Sequence, residues 1–189
     1  MSRRARIDSL PALHEACWTE LGLAAQDRRH PWRTPVLASR DGDGVDARTV
    51  VLREVDAAAR TLIVYTDARS PKVAQLRRWP QASLCAWSPQ CSWQLRLQVR
   101  VAVRDDDEAV AWRWARMKAS PAAKDYLSPR APGSEQADAD RDTAETAPGA
   151  CAHFAVLELA VRAMDWLELH PDGHRRACFD ARGARWRVP

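Results

Sequence analysis

The residues best suited to chemistry crowd together at Asp67-Ala-Arg69-Ser70-Pro-Lys72, directly after a β-rich run that ends in Tyr65 and Thr66. Pro71 suits the first turn of a helix and Ser70 the residue before it. Two cations and a hydroxyl therefore gather beside helix N–H groups that have no intrahelical partner, an arrangement made for a phosphate. Upstream, Arg48 flanks an apolar β-branched run, Arg48-Thr-Val-Val-Leu-Arg-Glu-Val55, and brings a further cation. The competing reading is plain surface ion pairing by Arg48, Arg69 and Lys72.

The elements that must position these groups follow from periodicity. Arg48–Val55 and Thr61–Thr66 read as an antiparallel hairpin with a loop longer than two residues. A helix from Pro71 to Trp79 carries Val73, Leu76 and Trp79 on one side and stops at Pro80. Ahead of the hairpin, an amphipathic helix over about residues 9–24 places Leu10, Leu13, Cys17 and Leu21 at helical spacing, with Ser9 as cap; His14 on it reads as a solvated histidine rather than a base. Thr34–Ser39 is the first strand, and Asp41-Gly-Asp-Gly44 is a turn, because a calcium loop would need more oxygen ligands than it offers.

Further along, Ala82–Trp87 and Ser92–Arg104 read as strands. In the second, Trp93, Leu95, Leu97, Val99, Val101 and Val103 alternate with Gln94, Arg96, Gln98 and Arg100, so one face is buried and the other meets solvent, a ligand or a second subunit. Asp105–Asp107 caps a helix over Glu108–Lys118 with Val110, Trp114 and Met117 as its apolar stripe. Residues 128–150, rich in Pro, Gly, Ala, Asp and Glu, form an expected long mobile loop. His153–Leu169 gives one long or two short strands, and a hairpin of His174–Phe179 with Ala184–Val188 ends the chain. Seven or eight strands with three helices, joined largely by hairpins, predict a mainly β, mostly antiparallel barrel with flanking helices (α+β class) in a single domain over residues 1–189.

Composition narrows the function. The 189 residues are 46% hydrophobic and 29% charged, and no apolar run is long enough to cross a bilayer. The start of the chain has arginines but no apolar signal core, so the expected compartment is the cytoplasm. Five scattered cysteines without ligand spacing fit neither a disulfide framework nor a metal site. A net charge of +4 with nine tryptophans is compatible with nucleic acid, but the arginines are dispersed rather than forming one run, which favours a small anionic ligand. GxGxxG, Walker, GxSxG and HExxH motifs are all missing.

The order R-T-V-V-L-R, Y-T-D, R-S-x-K and then Gln94-Leu-Arg resembles the pyridoxamine 5′-phosphate oxidase family of FMN-binding split β-barrels. The resemblance is strongest from Arg48 to Arg96 and continues through Tyr126 to Ser134 and His174-Arg-Arg to Trp186-Arg-Val-Pro189. It implies FMN as cofactor, lying in a groove between the two subunits of a homodimer. Arg48, Ser70 and Lys72 match phosphate-binding positions. Thr49, Val50, Val51 and Leu52 match the strand whose backbone meets the ribityl chain and ring, Tyr65 and Thr66 match the Tyr-Thr pair, and Gln94 matches a glutamine supplied by the partner subunit.

This sequence also departs from the family pattern. Ser-Arg-Lys becomes Ser70-Pro71-Lys72, with Arg69 on the other side of the serine as the candidate replacement, and Arg53 stands where a lysine is usual. Tyr126, Arg130 and Ser134 keep the spacing that holds a substrate phosphate in true oxidases, and with Arg53 and Arg175 they are the candidate substrate contacts. The carboxy-terminal Arg-x-His is replaced around His174-Arg175-Arg176-Ala177, which argues against vitamin B6 oxidation more than against FMN binding. The resemblance implies an FMN-dependent oxidoreductase acting on a small anionic substrate, with no side chain required as nucleophile and no catalytic residue assigned. The alternatives are a flavin carrier without turnover and a split barrel that binds haem or a deazaflavin.

Overall fold

In the computed structural model, residues 6–135 and 153–189 are described. Helix α1 (Leu10–Gln26) starts where Ser9 Oγ accepts the Ala12 N–H at 3.3 Å, and it buries Leu13, Cys17, Trp18, Leu21 and Ala24. A 3₁₀ turn (Pro31–Arg33) leads to β1 (Val36–Asp41) and β2 (Gly44–Thr49), which pair across the expected turn with Gly42 at φ 56°, a value that suits glycine. Then come β3 (Leu52–Asp56), β4 (Thr61–Asp67), α2 (Pro71–Arg78), β5 (Gln81–Ser88), β6 (Trp93–Arg104), α3 (Glu108–Met117) and a second 3₁₀ turn (Pro121–Tyr126). The chain ends with β7 (Phe154–Glu168), β8 (Arg175–Asp180) and β9 (Gly183–Arg187).

All strand pairs are antiparallel, in the order β2-β1-β5-β6-β7-β4-β3, with β8 on β7 and β9 on β8. The fold is a split, mostly antiparallel barrel. One edge of β7 is shared: Phe154–Ala160 pairs β4 and Met164–Glu168 pairs β8, while the other edge runs along β6. Nine strands stand among the described residues, more than the seven or eight expected, because Arg48–Val55 is not one strand. It breaks at Val50-Val51, just after the Val50 N–H bond to Pro35 O at 2.9 Å, which extends the β1–β2 register by one residue. The break is forced by closure: β2 and β3 are consecutive in sequence but stand at opposite ends of the sheet order, so the chain must bend between them.

The inner face of β6 supplies Trp93, Leu95, Leu97, Val99 and Val101 to the core, as its alternation predicts. Trp93 and Trp166 meet edge to face at 5.2 Å inside the barrel. A second apolar cluster, with Val110, Trp114, Met117, Tyr126 and Phe154, seats α3 on the outside of β4 and β7. His14 is half-buried rather than solvated: its Nε2 accepts the Trp18 indole N–H at 3.1 Å, its ring lies 4.9 Å from Phe179, and burial, followed by Arg60, lowers its proton affinity. Residues 128–135 carry no regular element, whereas residues 136–150 of the expected loop, with Cys151, lie outside the described residues.

Candidate functional site

The end of β4 and the start of α2 are joined by a tight local turn. Asp67 organises it, accepting the Arg69 N–H at 2.8 Å through Oδ1 and the Ser70 N–H at 3.0 Å through its backbone carbonyl. Ser70 is buried at the N-cap position of α2 and its side chain makes no capping hydrogen bond, leaving the positive end of the helix uncapped. Lys72, half-buried in the first turn, donates from Nζ to Thr66 Oγ1 at 3.2 Å. Burial first, and then the nearby Arg48, lower its proton affinity.

Arg48 reaches this place from β2. Its Nη1 donates to Ser39 Oγ at 2.6 Å, and its Nη2 donates to Gln75 Oε1 at 2.9 Å and to the Asp46 carboxylate. Gln75 donates in turn to Asp46 at 3.2 Å, and the hydrogen bonds from Gln75 and then Arg48 hold that carboxyl below its usual range. Ser39, Asp46 and Gln75 were not anticipated as parts of the site. Gln75 carried no signal in the sequence, since it stands two residues from Val73 and off the stripe of Val73 and Leu76, yet it is buried.

The fit to a phosphate dianion can be judged from these groups. A half-buried ammonium, its proton affinity lowered by burial and then by a neighbouring guanidinium, stands beside an uncapped helix start with a buried hydroxyl. An anion placed there would relieve the repulsion and meet charge-assisted donors, so the residues present fit the phosphate of FMN. Thr49 and Val51 face outward at the strand break while Val50 and Leu52 point into the core, so the bend between β2 and β3 presents backbone on the outside of the barrel.

The other expected residues are placed differently. Arg69 is engaged: its Nε and Nη2 donate to Asp67 at 3.1 and 2.7 Å, and its Nη1 and Nη2 donate to the carbonyls of Pro129 at 3.1 Å and Ser128 at 2.8 Å. Tyr65 Oη donates to Glu54 at 2.5 Å, and burial, followed by that bond, raises the phenol's pKa. Thr66 is buried next to Lys72, and Gln94 lies on the outer face of β6, opposite Trp87 and Leu167 in the ladder.

Among the candidate substrate contacts, Arg53 lies 5.5 Å over the Tyr65 ring, and its charge acts on Tyr126, which is buried against Trp114 and Phe154. Ser134 is exposed and donates to Ala131 O at 2.8 Å. Neither it nor Arg130 lines the cleft at Arg53. Arg175 is turned to Glu168 at 3.0 Å and to Ile7 O at 3.0 Å. No group of three potential metal ligands occurs among the described residues, and none of their helices is long and apolar enough to cross a membrane.

Residues 15–105 match the family described as pyridoxamine 5′-phosphate oxidase, FMN-binding domain. No curated protein matches the chain. Among solved structures, a pyridoxamine 5′-phosphate oxidase-related, FMN-binding protein from Nostoc punctiforme is similar at a TM-score of 0.69 and 22% identity, covering 92% of this chain and 96% of that one. PhzG from Burkholderia lata, in complex with tetrahydrophenazine-1-carboxylic acid, is similar at a TM-score of 0.71 and 18% identity, covering 96% and 94%. A protein related to general stress protein 26 from Clostridium acetobutylicum aligns at a TM-score of 0.57 and 9% identity, covering 89% and 96%. At these identities the structural likeness speaks for the fold.

Proposed function

We propose, from the match of residues 15–105 to the pyridoxamine 5′-phosphate oxidase, FMN-binding domain family, that the chain is an FMN-dependent oxidoreductase acting on a small anionic substrate. The observation that carries this reading is the convergence of Arg48 and half-buried Lys72 on the uncapped start of α2. When bound, FMN would supply the hydride chemistry. The chain's own part is binding and orientation. Lys72, Arg48 and Ser70 hold the phosphate, with Thr66 fixing the lysine. The backbone of Thr49, Val50, Val51 and Leu52 would offer hydrogen bonds to the ribityl chain and ring, and Tyr65, held by Glu54, would stand beside them. Arg69 acts by pinning the stretch at Ser128 and Pro129 beside the site.

Residues 1–189 work as one domain in a cytoplasmic homodimer, in which Gln94 of one subunit reaches the flavin held mainly by the other. The alternating polar face of β6 supports this reading, since a small barrel filled by its own side chains leaves the flavin outside and in need of a second wall. The test is the absorbance spectrum of the purified protein before and after titration with FMN. Flavin bands with saturable binding are expected; a Soret band would assign haem instead, and a colourless protein that takes up no FMN would reject the reading.

A further inference from the structure

Beside the bend that carries Val51 lies a cleft of about 640 Å³, a size that suits a small ligand. Its walls carry guanidinium groups from Arg28, Arg33, Arg53, Arg113 and Arg116 and one carboxylate, Glu54. That carboxylate is already engaged. Arg113 grips it through Nε and Nη2, each at 3.0 Å, and Tyr65 Oη donates to it at 2.5 Å. None of the remaining arginines forms an ion pair with a carboxylate among the described residues.

Three of these four are held in place. Arg33 Nη1 donates to the carbonyls of Ala24, at 3.2 Å, and Ala25, which fixes its fork at the end of α1. Arg53 lies over the Tyr65 ring, and its Nε is buried with no hydrogen-bond partner. Arg116 lies 4.6 Å over the Trp112 ring. Arg28 stands exposed near them. The crowding is felt within the cleft: burial first, then Arg53 and Arg28, lower the proton affinity of Arg33. Like charges drawn together around a concavity, with a buried donor left unmatched, are a cost that a bound oxyanion removes, and planar forks match carboxylate and phosphate best.

We propose that this cleft is the substrate subsite, and that it takes an organic anion bearing two or more carboxylate or phosphate groups, held by Arg28, Arg33, Arg53 and Arg116. A monoanion would leave most of the positive charge uncompensated, whereas a dianion or trianion can bridge cations on opposite walls. The assignment rests on the flavin reading in one respect, that Val51 belongs both to the cleft and to the stretch proposed to offer hydrogen bonds to the ring. It also separates substrate choice from the Tyr126, Arg130 and Ser134 spacing, since none of those three lines the cleft.

The test is calorimetric titration of the FMN-loaded protein with citrate, pyrophosphate and acetate at constant ionic strength. One of the two polyanions is expected to bind at least about tenfold more tightly than acetate, and Arg28→Ala or Arg116→Ala to weaken it by about tenfold with FMN affinity unchanged. Arg182→Ala, on the exposed turn between β8 and β9, should change neither. The tighter of citrate and pyrophosphate tells whether the substrate anion is carboxylate or phosphate. The proposal is overturned if neither polyanion binds the FMN-loaded protein. It is also overturned if binding falls equally in Arg182→Ala, or is lost in Lys72→Ala while surviving in Arg28→Ala and Arg116→Ala. Should the protein take up no FMN, the same titration of the flavin-free chain still reads the cleft. Arg28-dependent polyanion binding would then uphold the anion site while the flavin reading fails, and the loss of both would reject both.

Discussion

Arg48 Nη2 and Gln75 Oε1 meet at 2.9 Å, tying β2 to the inner face of α2. Because the same guanidinium also reaches Ser39 and Asp46, its direction is fixed before any ligand arrives. A cation held in this way loses little side-chain freedom on binding a phosphate.

Lys72→Ala and Arg48→Ala are each expected to weaken FMN binding by roughly 10- to 100-fold, because each removes a charge-assisted hydrogen bond contributing about 1.5 to 3 kcal/mol. Lys72→Ala should leave the melting temperature nearly unchanged. Arg48→Ala should lower it, since Ser39 and Gln75 are buried and lose a partner. Fluorescence titration of FMN reads the first effect and thermal melting the second; FMN affinity equal to the parent in both variants would remove these residues from the site.

Asp46→Asn is expected to tighten FMN binding by about fivefold. The carboxylate lies on Arg48, within the electrostatic reach of Lys72, and so opposes a phosphate arriving there by about 1 kcal/mol for unit charges a few Å apart in a water-like setting. The same fluorescence titration applies. Weaker binding would instead assign Asp46 to holding Arg48 in place.

Stability should fall in acid. Burial pushes the Glu54, Asp165 and Glu168 carboxyls upward, but hydrogen bonds outweigh it, from Arg113 and Tyr65 to Glu54, from Arg176 and Arg96 to Asp165, and from Arg175, Trp93 and Arg6 to Glu168. All three therefore lie below the usual carboxylate range in the folded chain. Their contribution is complete above the unfolded values, about pH 4 to 4.5, and is lost as the pH falls through the lower folded values. Melting temperatures measured against pH should drop in that window. Glu54→Gln should be less stable at neutral pH and show a shallower acid decline; an identical decline would exclude Glu54 from it.

Light scattering is expected to show a dimer that FMN stabilises by mass action, and Gln94→Ala to weaken flavin binding without dissociating it. A monomer that binds one FMN as tightly as the native preparation would rule out a shared site.

Oxidation of pyridoxine 5′-phosphate should be slow or absent. Arg175 is bound to Glu168 and Arg176 to Asp165, and Ser134 faces solvent. An oxygen-consumption assay running at an ordinary oxidase rate would show that these departures do not matter.

What the sequence determined by itself is what neighbouring residues decide together. Residues 66–72 lie on one short turn, so the proposed phosphate cradle is put forward by Thr66, Ser70, Pro71 and Lys72 alone. The strict alternation of β6 fixed which of its faces is buried, and Ser9 and Asp107 marked the starts of α1 and α3 by ordinary capping chemistry. Tertiary structure decided whatever depends on distant parts of the chain meeting. The break at Val50-Val51 follows from barrel closure, a constraint between the two ends of the sheet that no local propensity encodes. Arg69, a local candidate for the phosphate, also donates to the carbonyls of Ser128 and Pro129, a meeting that only the fold brings about. The network of Ser39, Asp46, Arg48 and Gln75 joins β1, β2 and α2. The arginines of the cleft come from the segment after α1, from β3 and from α3; dispersed in sequence, they form one positive concavity only because these elements pack together, and like charges do not announce such a meeting through periodicity.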